Sequence, residues 1–271
     1  MNRAALVAGD KILSRAAASQ AWWRRPQPHE RRSPSSSAQL SDNAPRHRVS
    51  GHWTERLLSV ADGILASVKP NDPKDDLRRY LDAALNAVEW KLEGLSEYDV
   101  RRPLTPTGTN LLGLAKHLAG VLLGYFGDTF ERPYDLALPW FAEGVEPEPN
   151  VDFWATAEES REEILELYRQ ARSHAAATID ELPLDAHGRV PWWGENGDVT
   201  LQRILVHMIA EAQRHAGHAD IIRELIDGRA GRQAGSSNLP PEMGDDDWAA
   251  HRQRVEDAAV QAQALAEGGD S

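Results

Sequence analysis

Cysteine is absent from this 271-residue sequence. Its absence excludes disulfide bonds, Cys-ligated zinc and a cysteine nucleophile, so any thiol chemistry must use a thiol from outside the chain. Long apolar runs are also lacking, because stretches such as residues 118–123 fall far short of the ~20 residues that cross a bilayer. We therefore expect no membrane-spanning segment. The lack of cysteine and of a clear signal peptide fits a cytoplasmic protein.

Basic residues are scarce relative to acidic ones. The chain has 30 Lys and Arg against 42 Asp and Glu, a formal net charge of -12. Phosphate contacts need clustered cations, so an acidic chain is a poor general binder of nucleic acid, and we expect no nucleic-acid partner. The charge is uneven, however. Residues 1–50 have a local balance of +6, which leaves -18 on the remainder.

The composition divides the chain into four regions. Residues 1–50 are rich in Ser, Pro and Arg and poor in apolar side chains, which predicts a disordered basic tail. An organelle transit peptide or a wrongly assigned start codon would also explain this region. We predict a short helix or linker at 51–71, a helical domain at 72–230, and a C-terminal extension at 231–271 with a helix over 248–266.

Helical periodicity dominates the central region. Apolar residues recur at helical spacing over about 75–97, 109–130, 157–182 and 200–226. Residues that favour helix ends support these bounds: Thr109 as an N-cap, Thr156 with Glu159 as a capping box, Asp198 as an N-cap and Gly228 as a C-terminal stop. No convincing alternating strand pattern is present. We predict an all-α fold, an antiparallel up-and-down four-helix bundle.

Two of the predicted connections are long. One covers residues 131–155 and the other 183–199, and both are rich in Pro and Trp. Loops of this length inside a compact domain are usually functional or act as lids. Trp192 and Trp193 lie in the second connection, where they serve either as binding surface or as packing over the core.

The fourth predicted helix carries an unusual polar line, formed by His207, Glu211, His215 and His218. At 100° per residue these four side chains fall within a sector of about 80°. Unpaired, such groups are costly to bury, and a metal ion compensates because imidazole and carboxylate are natural ligands. A solvent-facing stripe is the alternative. Spacing alone does not select which of the four residues bind.

One further histidine, His117, lies in an apolar stretch of the second predicted helix. A lone histidine there is more often a satisfied core residue than a ligand. It becomes relevant because the second and fourth helices of a bundle can face each other.

Four stretches resemble the DinB-like superfamily, and within it the actinobacterial branch of mycothiol-dependent transferases. They are WKLEGLS at 90–96, RPLTPTGTNLLGLAKHLAG at 102–120, GRVPWW at 188–193 and VHMIAEAQRHAGHAD at 206–220. The resemblance covers roughly residues 72–260. It implies a four-helix bundle with a divalent metal, held by one histidine of the second helix and two ligands one turn apart on the fourth.

When the family's ligand pattern is placed on this chain, the implied ligands are His117, Glu211 and His215. Glu at the first fourth-helix position is the pattern of mycothiol-dependent maleylpyruvate isomerase. His207 and His218 then fall outside the ligand set, as partners of the ligands, as acid–base groups or as structural residues. The ligand set suits zinc, nickel and other divalent ions, with zinc expected.

The resemblance implies transfer of mycothiol to an electrophile, or isomerisation through a thiol adduct, with the thiol activated as a metal-bound thiolate. Candidate residues for a thiol pocket are Arg101, Arg102, Trp192, Trp193 and Arg214. Two alternatives are a hydrolase that uses metal-bound hydroxide and a non-catalytic, stress-related metal-binding module. The expected partners are a small-molecule thiol and an electrophile, and a homodimer is plausible.

Overall fold

The computed structural model describes residues 72–136, 138, 140 and 148–268. The predicted tail at 1–50 and the predicted short helix or linker at 51–71 lie outside the described residues. Within the described residues, the α-helices are α1 (Pro73–Trp90), α2 (Glu97–Arg101), α3 (Leu111–Phe126), α4 (Arg161–Glu181), α5 (Leu201–Asp227) and α6 (Asp245–Gly268). Shorter 3-10 turns cover Asp128–Phe130, Val151–Phe153 and Pro191–Asn196.

Helices α1, α3, α4 and α5 enclose one hydrophobic core, so the predicted all-α four-helix bundle is confirmed. Side-chain contacts also give the direction of each helix. Lys116 of α3 pairs at 2.8 Å with Glu159, just before α4. Near the other ends of these helices, the Thr178 hydroxyl donates to the Phe126 carbonyl at 2.9 Å. Helices α3 and α4 therefore run in the same direction.

The other neighbouring pairs complete the topology. Helix α1 runs opposite to α4, because Arg78 near its start contacts Asp180 near the end of α4. Helix α1 runs parallel to α5, since Lys91 beyond its end pairs with Asp220 of α5. The order is therefore up, down, down, up. This differs from strict up-and-down alternation because the long connection after α3 returns the chain to the end where α3 began.

Local backbone chemistry explains where the observed helix ends differ from the predicted ones. The first predicted helix stops at Trp90 rather than at 97, because Gly94 adopts a φ of 73° that a continuous helix cannot accommodate. Ser96 then caps the short helix α2. Asn110, not Thr109, caps α3 by accepting from the Gly113 N–H at 2.8 Å.

The third predicted helix begins four residues later than expected. Its capping box is formed by Ser160 and Glu163, not by Thr156 and Glu159. The Glu159 carboxylate does accept from the Thr156 N–H at 2.8 Å, but it also binds the buried ammonium of Lys116. This bond to another helix holds Glu159 in the approach to α4 instead of in its first turn.

A two-stranded antiparallel ribbon precedes α5, and the sequence did not indicate it. Its strands are β1 (His187–Arg189) and β2 (Asp198–Thr200). Asp198 therefore pairs with Arg189 in the ribbon, and Thr200 is the N-cap of α5. Gly228 ends α5 with a φ of 74°, as predicted.

Helix α6 extends the predicted C-terminal helix by a few residues at each end. Its side chains are exposed apart from the partly covered Trp248. Among the described residues, no helix is both long and apolar enough to span a bilayer.

Candidate metal centre

Helices α3 and α5 bring His117, Glu211 and His215 together. The two helices pack antiparallel, so residues near the middle of α3 face residues near the middle of α5. Glu211 and His215 lie one turn apart on the inward side of α5. One oxygen, Glu211 Oε1, lies 3.3 Å from His117 Nε2 and 3.0 Å from His215 Nε2. One donor atom from each of the three residues falls within 4.8 Å of the other two.

These separations fit a single divalent ion. Metal–ligand bonds of about 2.0–2.1 Å in tetrahedral geometry place ligand atoms ~3.3 Å apart. The two contacts of Glu211 are close to that spacing, and the donor atoms of the two imidazoles lie within 4.8 Å of each other. Three protein donors leave a coordination position for another ligand, which is typical of catalytic rather than structural sites.

The remaining nitrogen of His117 contacts a carboxylate that the sequence analysis missed. Asp152 Oδ2 lies 2.7 Å from His117 Nδ1, and both side chains are buried. Asp152 belongs to the 3-10 turn Val151–Phe153, at the end of the long connection between α3 and α4. The neighbouring Phe153 ring stacks on the His117 ring at a centroid distance of 3.9 Å. Only the length of that loop hinted that it could contribute to the site.

Charge balance also favours a cation of charge +2 here. Glu211 and Asp152 together bring two negative charges to a largely buried site, and buried charge is unfavourable unless it is compensated. Hydrogen bonds from His117 and His215 hold the pKa of Glu211 well below its usual range. Burial opposes protonation of His117, but hydrogen bonds to Asp152 and Glu211 outweigh it and raise the His117 pKa. In the absence of metal, a proton on His117 therefore offsets part of the negative charge.

An aromatic wall, formed by Tyr125, Trp192 and Trp193, packs around His207, which lies one turn of α5 before Glu211. The His207 ring packs edge-on against Trp193, with 5.1 Å between ring centroids, and at a tilt of 57° against Tyr125, with 4.8 Å between centroids. The Trp192 indole N–H points at the Tyr125 hydroxyl at 3.4 Å. Gly124 permits this approach, since a Cβ there would lie 2.9 Å from the Trp192 ring. Burial lowers the pKa of His207 and raises that of Tyr125 to about 12.

The tryptophan pair thus adjoins the metal triad through Tyr125 and His207. Sequence reasoning named both tryptophans and His207 but missed Tyr125, which reads as an ordinary core aromatic. The chemical consequence is a mostly apolar surface one helical turn from Glu211, able to contact the body of a small molecule.

His218 lies on the opposite side of the triad. Its ring centroid is 5.5 Å from that of His215, and the side chain is half-buried. Burial is the largest cause that lowers its pKa, so the ring is neutral at pH 7 and able to accept a proton. The positive charge of Arg214 contributes to the same shift, which places this exposed guanidinium in the neighbourhood of His218.

Among the described residues, Arg101 and Arg102 make no contact with the triad. Arg102 pairs with Asp99 at 3.1 Å and stacks over Tyr98. Arg101 donates at 2.8 Å to the carbonyls of Thr156 and Glu159. Arg101 therefore fastens the approach to α4, and the contacts of Arg102 are local.

A family model described as Mycothiol-S-transferase matches residues 76–228, which is more than half of the chain and contains the triad, Asp152 and the aromatic wall. No curated protein matches. Among solved structures, one described as the conserved protein of locus from Enterococcus faecalis is similar, with 19% identity and a TM-score of 0.42. The alignment covers 58% of this chain and 99% of that one.

Proposed function

The chain belongs to the mycothiol S-transferase family, and we propose that it is a divalent-metal-dependent transferase or isomerase with mycothiol as its thiol co-substrate. His117, Glu211 and His215 would hold the metal, with zinc as the expected ion and nickel as another suitable one. The substrates are a small-molecule thiol and a small electrophile.

The observation that carries this proposal is the three-donor cluster between α3 and α5. Its donor atoms lie within 4.8 Å of one another, and a buried carboxylate supports one of the two histidines. A divalent metal held there would supply Lewis acidity, lowering the pKa of a thiol at its open position so that the thiol reacts as a thiolate near neutral pH.

The chain itself contains no thiol, since it has no cysteine. The nucleophilic sulfur must therefore come from the co-substrate. In the transfer, the thiol loses its proton, a carbon–sulfur bond forms on the electrophile, and the leaving group departs with its bonding electrons. In an isomerisation, the thiol adds to a double bond and is expelled again after rotation about the resulting single bond.

Protein side chains around the triad fit the remaining tasks. We assign the half-buried rings of Trp192 and Trp193, which pack on the fully buried Tyr125, to contact with the body of a substrate. His218 is neutral at pH 7 and half-buried beside His215, so it is suited to accept the thiol proton. His207 is held between two aromatic rings and would shape the pocket or bind substrate. Arg214 offers positive charge at the rim for a carboxylate of the thiol. Arg102 is the weakest pocket candidate because its contacts are local.

The test combines metal analysis with a thiol-transfer assay on the purified, untagged protein. Elemental analysis gives the metal content per chain, and consumption of mycothiol in the presence of a fluorogenic alkylating agent gives the activity. Glu211→Gln removes a ligand charge at nearly constant volume. Glu224→Gln is the matched control, because Glu224 is an exposed residue of the same helix.

We expect about one metal per chain and thiol-dependent product for the native protein and for Glu224→Gln, with both lost in Glu211→Gln. Absence of metal after incubation with zinc would overturn the proposal. A bound metal with turnover of an ester or amide that needs no thiol would instead indicate a hydrolase. A bound metal without any turnover across a panel of thiols and electrophiles would indicate a non-catalytic binding module.

A further inference from the structure

The 151–154 segment is fastened along one side of α3. The Asn110 side-chain amide donates to the Phe153 carbonyl at 3.0 Å. Two turns further on, the Lys116 ammonium donates to the Val151 carbonyl at 3.0 Å and to the Trp154 carbonyl at 2.9 Å. Both polar side chains are buried. Such bonds are strong in a dry environment, so they fix the position of the segment relative to α3.

Asp152 is the residue whose side chain this arrangement directs at His117. Its Oδ2 atom lies 2.7 Å from His117 Nδ1, and only 6% of the Asp152 surface is exposed. Its second oxygen, Oδ1, is buried without a hydrogen bond to any part of the chain that the structure describes. A buried carboxylate with so few partners is costly. Its position next to a candidate metal ligand points to a functional interaction.

We propose that Asp152 is a positioning residue, which holds His117 in the tautomer that presents its Nε2 lone pair to the metal. This inference rests on the proposed function. With a metal bound, the Nδ1–H of His117 would donate to the Asp152 carboxylate, and the Nε2 atom, 3.3 Å from Glu211 Oε1, would give up its hydrogen and offer its lone pair to the cation. The negative charge also makes the imidazole a stronger donor to a cation.

The stacked Phe153 ring supports the same orientation. It lies 3.9 Å from the His117 ring, with an angle of 22° between the two ring planes. Rotation of the imidazole about its Cβ–Cγ bond would drive it into this ring. Residues 152 and 153 therefore restrict His117 in two ways, through a hydrogen bond in the ring plane and through packing on the ring face.

The experiment measures zinc affinity by competition with a chromogenic chelator, using the full-length protein. Asp152→Ala removes the acceptor and the charge, whereas Asp152→Asn keeps an acceptor oxygen but loses the charge. Tyr168→Phe is the control for general destabilisation. It deletes a buried hydrogen bond to the Leu85 carbonyl, between α1 and α4, without touching the triad. The tautomer of His117 is read separately from its ring nitrogens by NMR, with and without zinc.

Loss of a carboxylate behind a metal-binding histidine typically weakens metal binding 10–100-fold. We expect a loss in that range for Asp152→Ala, a smaller loss for Asp152→Asn, and no change for Tyr168→Phe. We also expect the native His117 to carry its proton on Nδ1 when zinc is bound, and this preference to weaken in Asp152→Ala.

Zinc affinity of Asp152→Ala within twofold of the native value would overturn the inference while leaving the proposed function intact. If Asp152→Ala does not fold, Asp152→Asn with native affinity and an unchanged tautomer is the overturning result. Failure of the native protein to bind zinc would refute the proposed function. In that case an Nδ1–H of His117 that exchanges rapidly with water would show that the Asp152 contact is also absent.

Discussion

Replacement of Gly113 by alanine should weaken zinc binding, although Gly113 is not one of the candidate ligands. Gly113 lies on α3 under the 151–154 segment, and a Cβ at this position would be 1.8 Å from the Phe153 carbonyl oxygen and 2.4 Å from its carbonyl carbon. These are backbone atoms, which cannot turn aside as a flexible side chain does. To reach an ordinary carbon–oxygen contact of ~3.3 Å, the segment has to retreat by about 1.5 Å.

A shift of that size breaks the Asp152–His117 contact. The bond is 2.7 Å long, and moving its acceptor away by about 1.5 Å exceeds hydrogen-bonding distance. Overpacking of a well-packed site costs about 1–3 kcal/mol, whereas Gly to Ala inside a helix gains up to ~1 kcal/mol. We expect a net loss of about 1–2 kcal/mol, which lowers the thermal midpoint by roughly 2–8 °C.

Calorimetry of the metal-free protein and chelator competition for zinc measure the two effects. The matched control is Gly217→Ala on α5, an exposed helical position where a Cβ has nothing within 4 Å. It should leave zinc affinity unchanged and stabilise the protein by up to ~1 kcal/mol. We expect at least a tenfold loss of zinc affinity for Gly113→Ala. If the two variants behave alike, the close packing of this segment on α3 is refuted.

Three further results are expected. His117→Ala and His215→Ala should weaken zinc binding equally, measured by the same competition, and an effect of His215→Ala alone would contradict the α3–α5 pairing. Zinc affinity should rise with pH, by up to about tenfold per pH unit below the raised pKa of His117, because the metal displaces a proton from that residue. The same proton stabilises the metal-free protein below pH 6.5, and this stability is lost as the pH rises through the raised pKa. A thermal midpoint of the metal-free protein that rises over that interval would contradict the prediction. Lys116→Met should lower the free energy of unfolding in urea by ~2–3 kcal/mol, because it removes the buried ammonium that donates to the Val151 and Trp154 carbonyls. A loss below about 0.5 kcal/mol would show that this ammonium does not hold the segment.

Most of the fold could be predicted from the helical spacing of apolar residues. Apolar spacing located the four long helices to within a few residues, apart from the ends of the first and second and the start of the third, because the stripe that faces a core repeats every 3.6 residues. The misplaced capping box shows where such reasoning fails. Thr156 and Glu159 have the right residue types at the right spacing, but Lys116 lies 43 residues away in sequence and binds the same carboxylate.

Some residues of the candidate site lie together on one helix, whereas others meet only through the packing of different helices. Spacing placed His207, Glu211, His215 and His218 on one face of a helix, since residues four apart share a helix face, and the family resemblance then selected Glu211 and His215. His117, 94 residues before Glu211, entered the set only through family resemblance, because no local pattern says which two helices of a bundle face each other. In the sequence, Tyr125 looks like any other core residue, and its packing against Trp192 is visible only in the structure.

By itself, the sequence determined that the chain forms long amphipathic helices, that one helix carries three histidines and a glutamate on one face, and that any thiol must be supplied from outside. These properties depend on residue type and on spacings within one helix. Only the tertiary structure decided the parallel course of α3 and α4, the meeting of His117 with Glu211 and His215 of α5, and the contact of Asp152 with His117. Each of these depends on the path of a connecting loop, which is set by contacts between residues far apart in the chain and leaves no periodic trace in the sequence.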